Sequence, residues 1–350
     1  MVNLPFFDNK SVSAVRRTVF EVSFGSGSAD DWQQAIVSIA MEAGLGPSVD
    51  AVEVTLASGE QGPSIAVGDT GSLSLGYANS ATALVFTGQI EDVRYSIHGT
   101  THITATNGAA ALAKLRVNQS YEGQSAGDIV NDLIGRVGVG AGTVENGADF
   151  PFYVVDDRRS VYEHIAALAK KSGYLAYFNP EGELNFAPFA AGQPVQTFTY
   201  GEDILSLQVT DAAPIVGSVE IVGEGAAGSQ GQEAWSWLLK DPASVTGSTG
   251  DGGPERKIQD ASLRSSDAAQ SAADSLANAA GLMKLTGKIL VPGAPAVVVG
   301  SAVEIADVPQ EALNGLGLVH RVRHRLSKRL GFTTFIVFSK TSDGGLGGLL

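Results

Sequence analysis

The densest cluster of chemically capable side chains lies in the segment HRVRHRLSKR, which begins at His320. Arg321, Arg323 and Arg325 alternate there with His320, His324 and apolar residues. A period of two predicts a β-strand with one basic face and one mixed face. Five Lys and Arg side chains stand within nine residues, although the formal net charge of the chain is -14. Nucleic acid, a metal ion at the histidines and a protein partner are the candidate ligands of this segment.

A metal site is the weakest of these three interpretations. The chain has no cysteine, so thiolate zinc sites, disulfides and cysteine nucleophiles are excluded. A zinc site needs three or four ligands with supporting hydrogen bonds, and the neighbouring arginines would repel a cation. We therefore expect neither a metal nor a cofactor. The five histidines of the chain are His98, His102, His164, His320 and His324.

Paired carboxylates are the other group that could do chemistry. Asp156, Asp157 and Glu163 could be imagined as the acid and base of a glycosidase. Asp157 immediately precedes a predicted helix, however, and a capping role is the simpler interpretation. The chain contains no GxSxG, P-loop or HExxH motif, and the glycines of GEGAAG, residues 223–228, fit a loop of small residues.

Charge and hydropathy exclude further classes of protein. Lys and Arg number 23 against 37 Asp and Glu, which argues against general binding of nucleic acid, because such proteins concentrate positive charge. No uncharged apolar run is long enough to span a membrane, and we expect no signal peptide at the N-terminus.

The elements that position these residues are mainly strands. Short alternating segments run to about residue 106, with one helix predicted over 30–45. Between about 107 and 190 the pattern changes to helices, including one capped by Ser125 and one ending at Gly173, followed by a hairpin around NPEG. An alanine-rich helix then leads into further strands.

Two segments of the chain resemble each other. Each has a Val-Gly pair, an alternating strand, a strand containing Val-Arg and a strand that opens with Thr-Thr. The Val-Arg pairs begin at Val93 and Val322, and the following turn is four residues longer in the second copy. This order predicts one small β-barrel used twice. A trimer of such chains would present six similar units around one axis.

The chain also resembles the late control protein D family, the baseplate or tail-tip hub of contractile-tail phages, related to the hub part of type VI secretion spike proteins. The segments that carry this resemblance are VFTGQIEDVRYSI with THITATNGAAALAKL, SAGDIVNDLIGRVGV, DDRRSVYEHIAALAKKSGYLAYFNPEGELNF, AAQSAADSLANAAGLMKLTGKILVPGAPAVVVGSAVEI and GLGLVHRVRHRLSKRLGFTTFIVF. They occur in the order of the family.

The predicted fold class is α+β, mainly β, with two similar small β-barrels and an inserted α/β region. Five divisions are expected: a first barrel at 1–110, an α/β domain at 111–195, strands with a glycine-rich excursion at 196–265, a helix and second barrel at 266–341, and a flexible tail at 342–350.

The resemblance implies a structural baseplate hub of a contractile phage tail or phage-tail-like particle, assembled in the host cytoplasm. It implies no enzymatic activity. It implies a homotrimeric, pseudo-sixfold ring that joins the tail tube to a separate spike protein and contacts other baseplate components. No membrane and no sequence-specific nucleic acid are expected as partners. A carbohydrate-binding β-barrel and a tail-tip peptidoglycan hydrolase are the alternatives.

The basic strand acquires a role in this hypothesis. Aligning Val93 with Val322 places Arg321, Arg323 and Arg325 at the positions of Asp92, Arg94 and Ser96. The second copy is then the basic member of a pair, and its strand could face an acidic neighbour where the two barrels alternate. The predicted subunit-interface residues are Asp92, Arg94, Arg321, Arg323 and Arg325.

Overall fold

A computed structural model describes residues 16–57, 63–97, 99–189, 192–213, 216–223, 245–250, 252–282 and 284–340. The predictions for Trp235, Trp237 and the C-terminal tail, together with any role of His98, lie outside these residues. The described chain is mainly β, as the sequence predicts, with large antiparallel pairings and five α-helices. No described helix is both long and apolar enough to cross a membrane.

The first part of the chain contains β1 Thr18–Val22, α1 Ala29–Ala35, β2 Ile36–Gly44, β3 Ala51–Ala57, β4 Thr70–Tyr77, β5 Ala83–Ser96 and β6 Thr100–Thr106. The middle part contains α2 Gly108–Lys114, β7 Gln119–Ser125, α3 Ala126–Gly135, β8 Ala141–Val144, β9 Asp149–Val155, α4 Val161–Ser172, β10 Tyr174–Phe178 and β11 Leu184–Pro188.

The remaining elements are β12 Gln196–Thr199, β13 Ser206–Asp211, β14 Ser218–Gly223, β15 Thr246–Thr249, β16 Glu255–Asp260, α5 Ser266–Leu282, β17 Leu285–Pro292, β18 Ala302–Ala306, β19 Gly315–Ser327 and β20 Gly331–Lys340, with a 3₁₀ turn at Glu311–Leu313.

The expected duplication is visible in the strand order of one twelve-stranded sheet. The first half runs β1-β4-β5-β6-β3-β2, and the second half runs β12-β18-β19-β20-β17-β13. All neighbours within the halves are antiparallel except β12 and β18, which are parallel where β1 and β4 are antiparallel. The strands at 196–211, predicted in the division 196–265 ahead of the glycine-rich excursion, pair within this second half.

The two halves are joined rather than separate. β2 at the end of the first half pairs antiparallel with β19 in the second. One hydrophobic core accordingly runs through both halves and includes Trp32 and Ile39 from the first and Val322 and Ile336 from the second.

The helix predicted over 30–45 is wrong beyond residue 35. α1 begins at a Ser28 capping box and ends at Ala35, and the chain continues directly as β2. Ile39, Met41 and Ala43 alternate into the core, so the correct period there is two. Pairing with β3 and β19 on both sides outweighs the local helical spacing.

The inserted α/β region has its own core, and three of its predicted features are confirmed. Ser125 caps α3, Gly173 ends α4 in a left-handed conformation at φ 70°, and β10 and β11 form the hairpin. α5 and β14 contribute to this second core as well. Lys171 on α4 contacts Asp260 on β16 at 2.7 Å, which ties the helix to the sheet of β14, β15 and β16.

Asp50 links the large sheet to the second core. It is 3% exposed, and its carboxylate accepts hydrogen bonds from the Gly44 backbone N–H at 3.0 Å and the Asn107 Nδ2 at 2.9 Å. Asn107 is the N-cap of α2. Burial raises the pKa of Asp50 to about 7, against the opposing effect of these hydrogen bonds. His324 is buried as well, and its burial lowers its pKa to about 4.

These two groups have opposite effects on stability. The folded protein keeps a proton on Asp50 well above the ordinary pKa of about 4, so the free energy of unfolding falls as pH rises from about 4 to about 7. Unfolded histidine binds a proton below about pH 6.5 whereas folded His324 does not, so His324 makes the free energy of unfolding rise with pH over nearly the same range.

We predict that Asp50→Asn uncovers the His324 effect. The stability of the variant relative to the parent should increase with pH by on the order of 1 kcal/mol per pH unit between about 4 and 7. Urea unfolding at several pH values measures this difference. Parallel stability curves for the two proteins would contradict the assignment.

Candidate subunit junction

The basic face of β19 meets an acidic residue on β2. In the antiparallel register Arg323 lies directly opposite Glu42, and Arg321 lies diagonally from it, opposite Gly44. Arg323 Nε donates to Glu42 Oε2 at 2.7 Å, and Arg323 Nη2 donates to the same oxygen. Arg321 Nη1 donates to Glu42 Oε1 at 3.2 Å. One carboxylate therefore binds two arginines across the join between the two halves.

The other interface candidates lie outside this contact. Arg325 is opposite Ala40, on the same face of β19 but beyond Glu42. Asp92 and Arg94 lie on β5 of the first half and bind each other at 2.6 Å. The acidic residue that contacts the basic strand is therefore Glu42 of the same chain, whereas the alignment predicted an acidic neighbour at a junction between subunits. The role of the five residues in contacts between chains stays a prediction.

The opposite face of β19 is apolar. Val322, His324 and Leu326 are buried, and His324 Nδ1 lies 2.9 Å from Thr334 Oγ1. The low pKa of His324 follows from its burial. Within the described residues, no three His, Asp or Glu side chains group in a way that could hold a metal ion.

The carboxylates considered for catalysis have local structural contacts. Glu163 forms the capping box of α4 with Ser160, so Ser160 and not Asp157 is the N-cap. Asp156 accepts from the Arg158 backbone N–H at 3.0 Å. The backbone N–H of Asp157 donates to Asn118 Oδ1 at 3.1 Å.

A polar concavity of about 670 Å³ lies between β7 and α3. Two of its carboxylates are engaged by neighbouring side chains. Asp128 forms the capping box with Ser125, and Asp132 accepts from the Tyr121 hydroxyl at 2.6 Å and contacts Arg136 at 2.9 Å. Asp128 therefore caps α3, and Asp132 joins α3 to β7 through Tyr121.

Glu42 was missed from the sequence because it lay in the segment predicted as a helix. The signal that could have revealed it is the alternation of Ile39, Met41 and Ala43, which places Glu42 on the opposite face of a strand. Once 36–44 is assigned as a strand, an acidic residue with apolar neighbours is a natural partner for the basic strand.

The family described as Alg8 N-terminal domain matches residues 62–328, which is more than half of the chain. The chain belongs to the Alg8 N-terminal domain family. No curated protein sequence matches it.

Solved structures show that the chain has the fold of phage tail proteins. A tail protein from Neisseria meningitidis MC58 superposes with a TM-score of 0.71 at 14% identity, over 94% of this chain and 97% of its own. The 43 kDa tail protein of prophage MuSo2 from Shewanella oneidensis has a TM-score of 0.68 at 13% identity, over 92% and 98%. The Escherichia coli c3393 protein, a type VI secretion component, has a TM-score of 0.60 at 10% identity, over 93% and 77%.

We predict that reversing one charge at the β2–β19 join weakens the fold. Arg323→Glu places two carboxylates directly opposite each other and should lower the free energy of unfolding by about 1 kcal/mol, since these side chains are partly exposed. Adding Glu42→Arg should recover most of this loss. Urea unfolding measures both effects.

Arg325→Glu is the matched control, because it reverses a charge on the same face opposite Ala40. Its effect should be smaller than that of Arg323→Glu. An equal loss in the two variants, or no recovery in the double variant, would contradict a specific contact with Glu42.

Proposed function

We propose that this chain is the structural hub in the baseplate of a contractile phage tail or a phage-tail-like particle. In this proposal three copies form a pseudo-sixfold ring that joins the tail tube to a separate central spike. The observation that carries the proposal is the six-stranded unit present twice in one sheet. Three such chains contain six similar units, which suits a contact with a sixfold tube on one side and a threefold spike on the other.

The comparisons support this proposal through the fold. The c3393 protein is described as a type VI secretion component with structural similarity to the T4 tail proteins gp27 and gp5. The resemblance of this sequence to late control protein D agrees with the same assignment. A location in the tail of a virion or related particle, after assembly in the host cytoplasm, follows from the proposal.

The proposed mechanism is assembly rather than catalysis. Two of the carboxylates considered for catalysis are engaged in the described residues: Glu163 caps a helix and Asp156 accepts from a backbone N–H. Edge strands, by contrast, offer unpaired backbone groups to neighbours. The tail tube, the spike and other baseplate proteins are the partners in this proposal, without membrane or sequence-specific nucleic acid.

The mass of the purified chain in solution tests this proposal. We expect a trimer of about 108 kDa, three times the 36.1 kDa of one chain. Light scattering after size-exclusion chromatography measures it. A stable monomer at tens of micromolar protein would contradict the proposed hub.

A further inference from the structure

The strand edges of the large sheet that have no described partner include part of β5 and the outer edge of β13. Residues 92–95 of β5 pair with β6 on one side, and β4 ends its pairing with β5 at Gln89. β13 pairs with β17 on one side, and no other described strand pairs with it. The first edge lies in the first copy of the repeat and the second edge in the second copy.

The second copy shows what covers the corresponding edge of its own strand. β5 and β19 each carry a bulge, between Ile90 and Asp92 in one and between Val319 and Arg321 in the other. The bulge places Val93 and Val322 at equivalent positions, as the sequence alignment does. Beyond the bulge, β19 is covered by β2, whereas residues 92–95 of β5 have no second strand partner among the described strands.

β13 is the structural equivalent of β2. Each is the last strand of its half, next to the strand that pairs with the closing hairpin. The residue pairs across the strands show which positions correspond. In the first half Ile90 is opposite Ala105, Ala105 is opposite Val52, and Val52 is opposite Met41. In the second half the equivalent series is Val319, Phe338, Gly287 and Val209, so Val209 corresponds to Met41.

Exposed apolar side chains mark the same two edges. Tyr95 is 75% exposed, whereas His324 at the equivalent position is 1% exposed. Ile97, in the turn just after β5, is 97% exposed, and its counterpart Leu326 is 4% exposed. On β13, Leu207 and Val209 are only partly buried although their equivalents on β2 are buried. These side chains lack the cover that the internal join supplies.

We propose that β5 of one chain pairs antiparallel with β13 of a second copy, in the register that β19 and β2 use within the chain. Tyr95 then lies opposite Val209 of the neighbouring copy, as His324 lies opposite Met41. Ile97 comes near the neighbouring copy's Leu207, as Leu326 lies opposite Ile39. Each chain carries both edges, so copies join head to tail, and a ring closes if the rotation permits. Closure at three copies rests on the proposed hub function.

The charges distinguish this contact from the internal one. Thr210 takes the place of Glu42, and Asp92 takes the place of Arg321. Arg94 already binds Asp92 on its own strand, so it needs no carboxylate from the facing copy. The two arginines of β19, by contrast, match Glu42 on β2. The charges therefore favour pairing of β2 with β19 and pairing of β13 with β5 over the two exchanged pairings.

Cysteine cross-linking tests the proposed register, since the chain has no cysteine of its own. Directly opposed residues of antiparallel strands lie within disulfide reach. The full chain carrying Tyr95→Cys and Val209→Cys should form covalent dimers and trimers after mild oxidation. Arg94→Cys with Val209→Cys is the matched control. It should give roughly tenfold less product, because adjacent residues face opposite sides of a sheet.

Glu42→Cys with Arg323→Cys is the positive control and should close a disulfide within one chain. Cross-linked trimers support the junction and the hub. A native trimer without the 95–209 cross-link, with the positive control closed, overturns the junction and leaves the hub. A ladder beyond trimers supports the junction and refutes the threefold ring. A monomer without cross-links overturns both.

Tyr95→Asp tests the same junction without oxidation. A carboxylate at this position would lose its water in the assembled ring, so self-association should weaken by roughly tenfold or more. Leu330→Asp is the control, because Leu330 is 80% exposed in the β19–β20 turn and belongs to neither edge. Light scattering over a dilution series measures both variants, and unchanged assembly of Tyr95→Asp would contradict the proposal.

Discussion

The pairing of β2 with β19 is the contact on which the rest of the structure depends. It converts two copies of a six-stranded unit into one twelve-stranded sheet with one core. Backbone hydrogen bonds hold the two strands, and Glu42 fixes the register by binding Arg321 and Arg323 on the facing strand. A shift of one residue would move Glu42 away from Arg323 and turn the buried face of β19 toward solvent.

This join also explains the arrangement of the middle of the chain. Gly44 ends β2, and its backbone N–H donates to Asp50. Asp50 also accepts from Asn107, the N-cap of α2, and so connects the join to the start of the second core. The α/β region is inserted between the copies in sequence, yet it contacts the sheet near their join in space. A duplicated unit with one internal junction has equivalent edges at its two ends, and these edges explain how a chain of this kind could assemble with itself.

The sequence predicts the repeat and the local helices well because their signals are local. Ser125 and Gly173 lie at helix ends where capping chemistry acts over a few residues. The Val-Arg pairs predict equivalent strands because each follows a bulge at the same place. The basic strand is also recognisable as one side of a contact between the copies.

What the sequence does not predict are the contacts that tertiary pairing determines. The 36–44 segment has near-helical spacing, and only its position between β3 and β19 makes it a strand. For that reason the sequence does not reveal Glu42 as a partner, nor that Arg321 and Arg323 bind a carboxylate of their own chain. The exposure of Tyr95 is equally invisible in sequence, since an alternating strand does not reveal which of its edges is covered.

Hydrogen–deuterium exchange on the assembled protein tests whether the same kind of strand pairing is used both within a chain and between chains. If it is, amides of β5 beyond the bulge and of β13 should exchange as slowly in the assembly as those of β2 and β19, and should become fast on dissociation. Fast exchange at β5 and β13 in an intact assembly, with β2 and β19 protected, would contradict it.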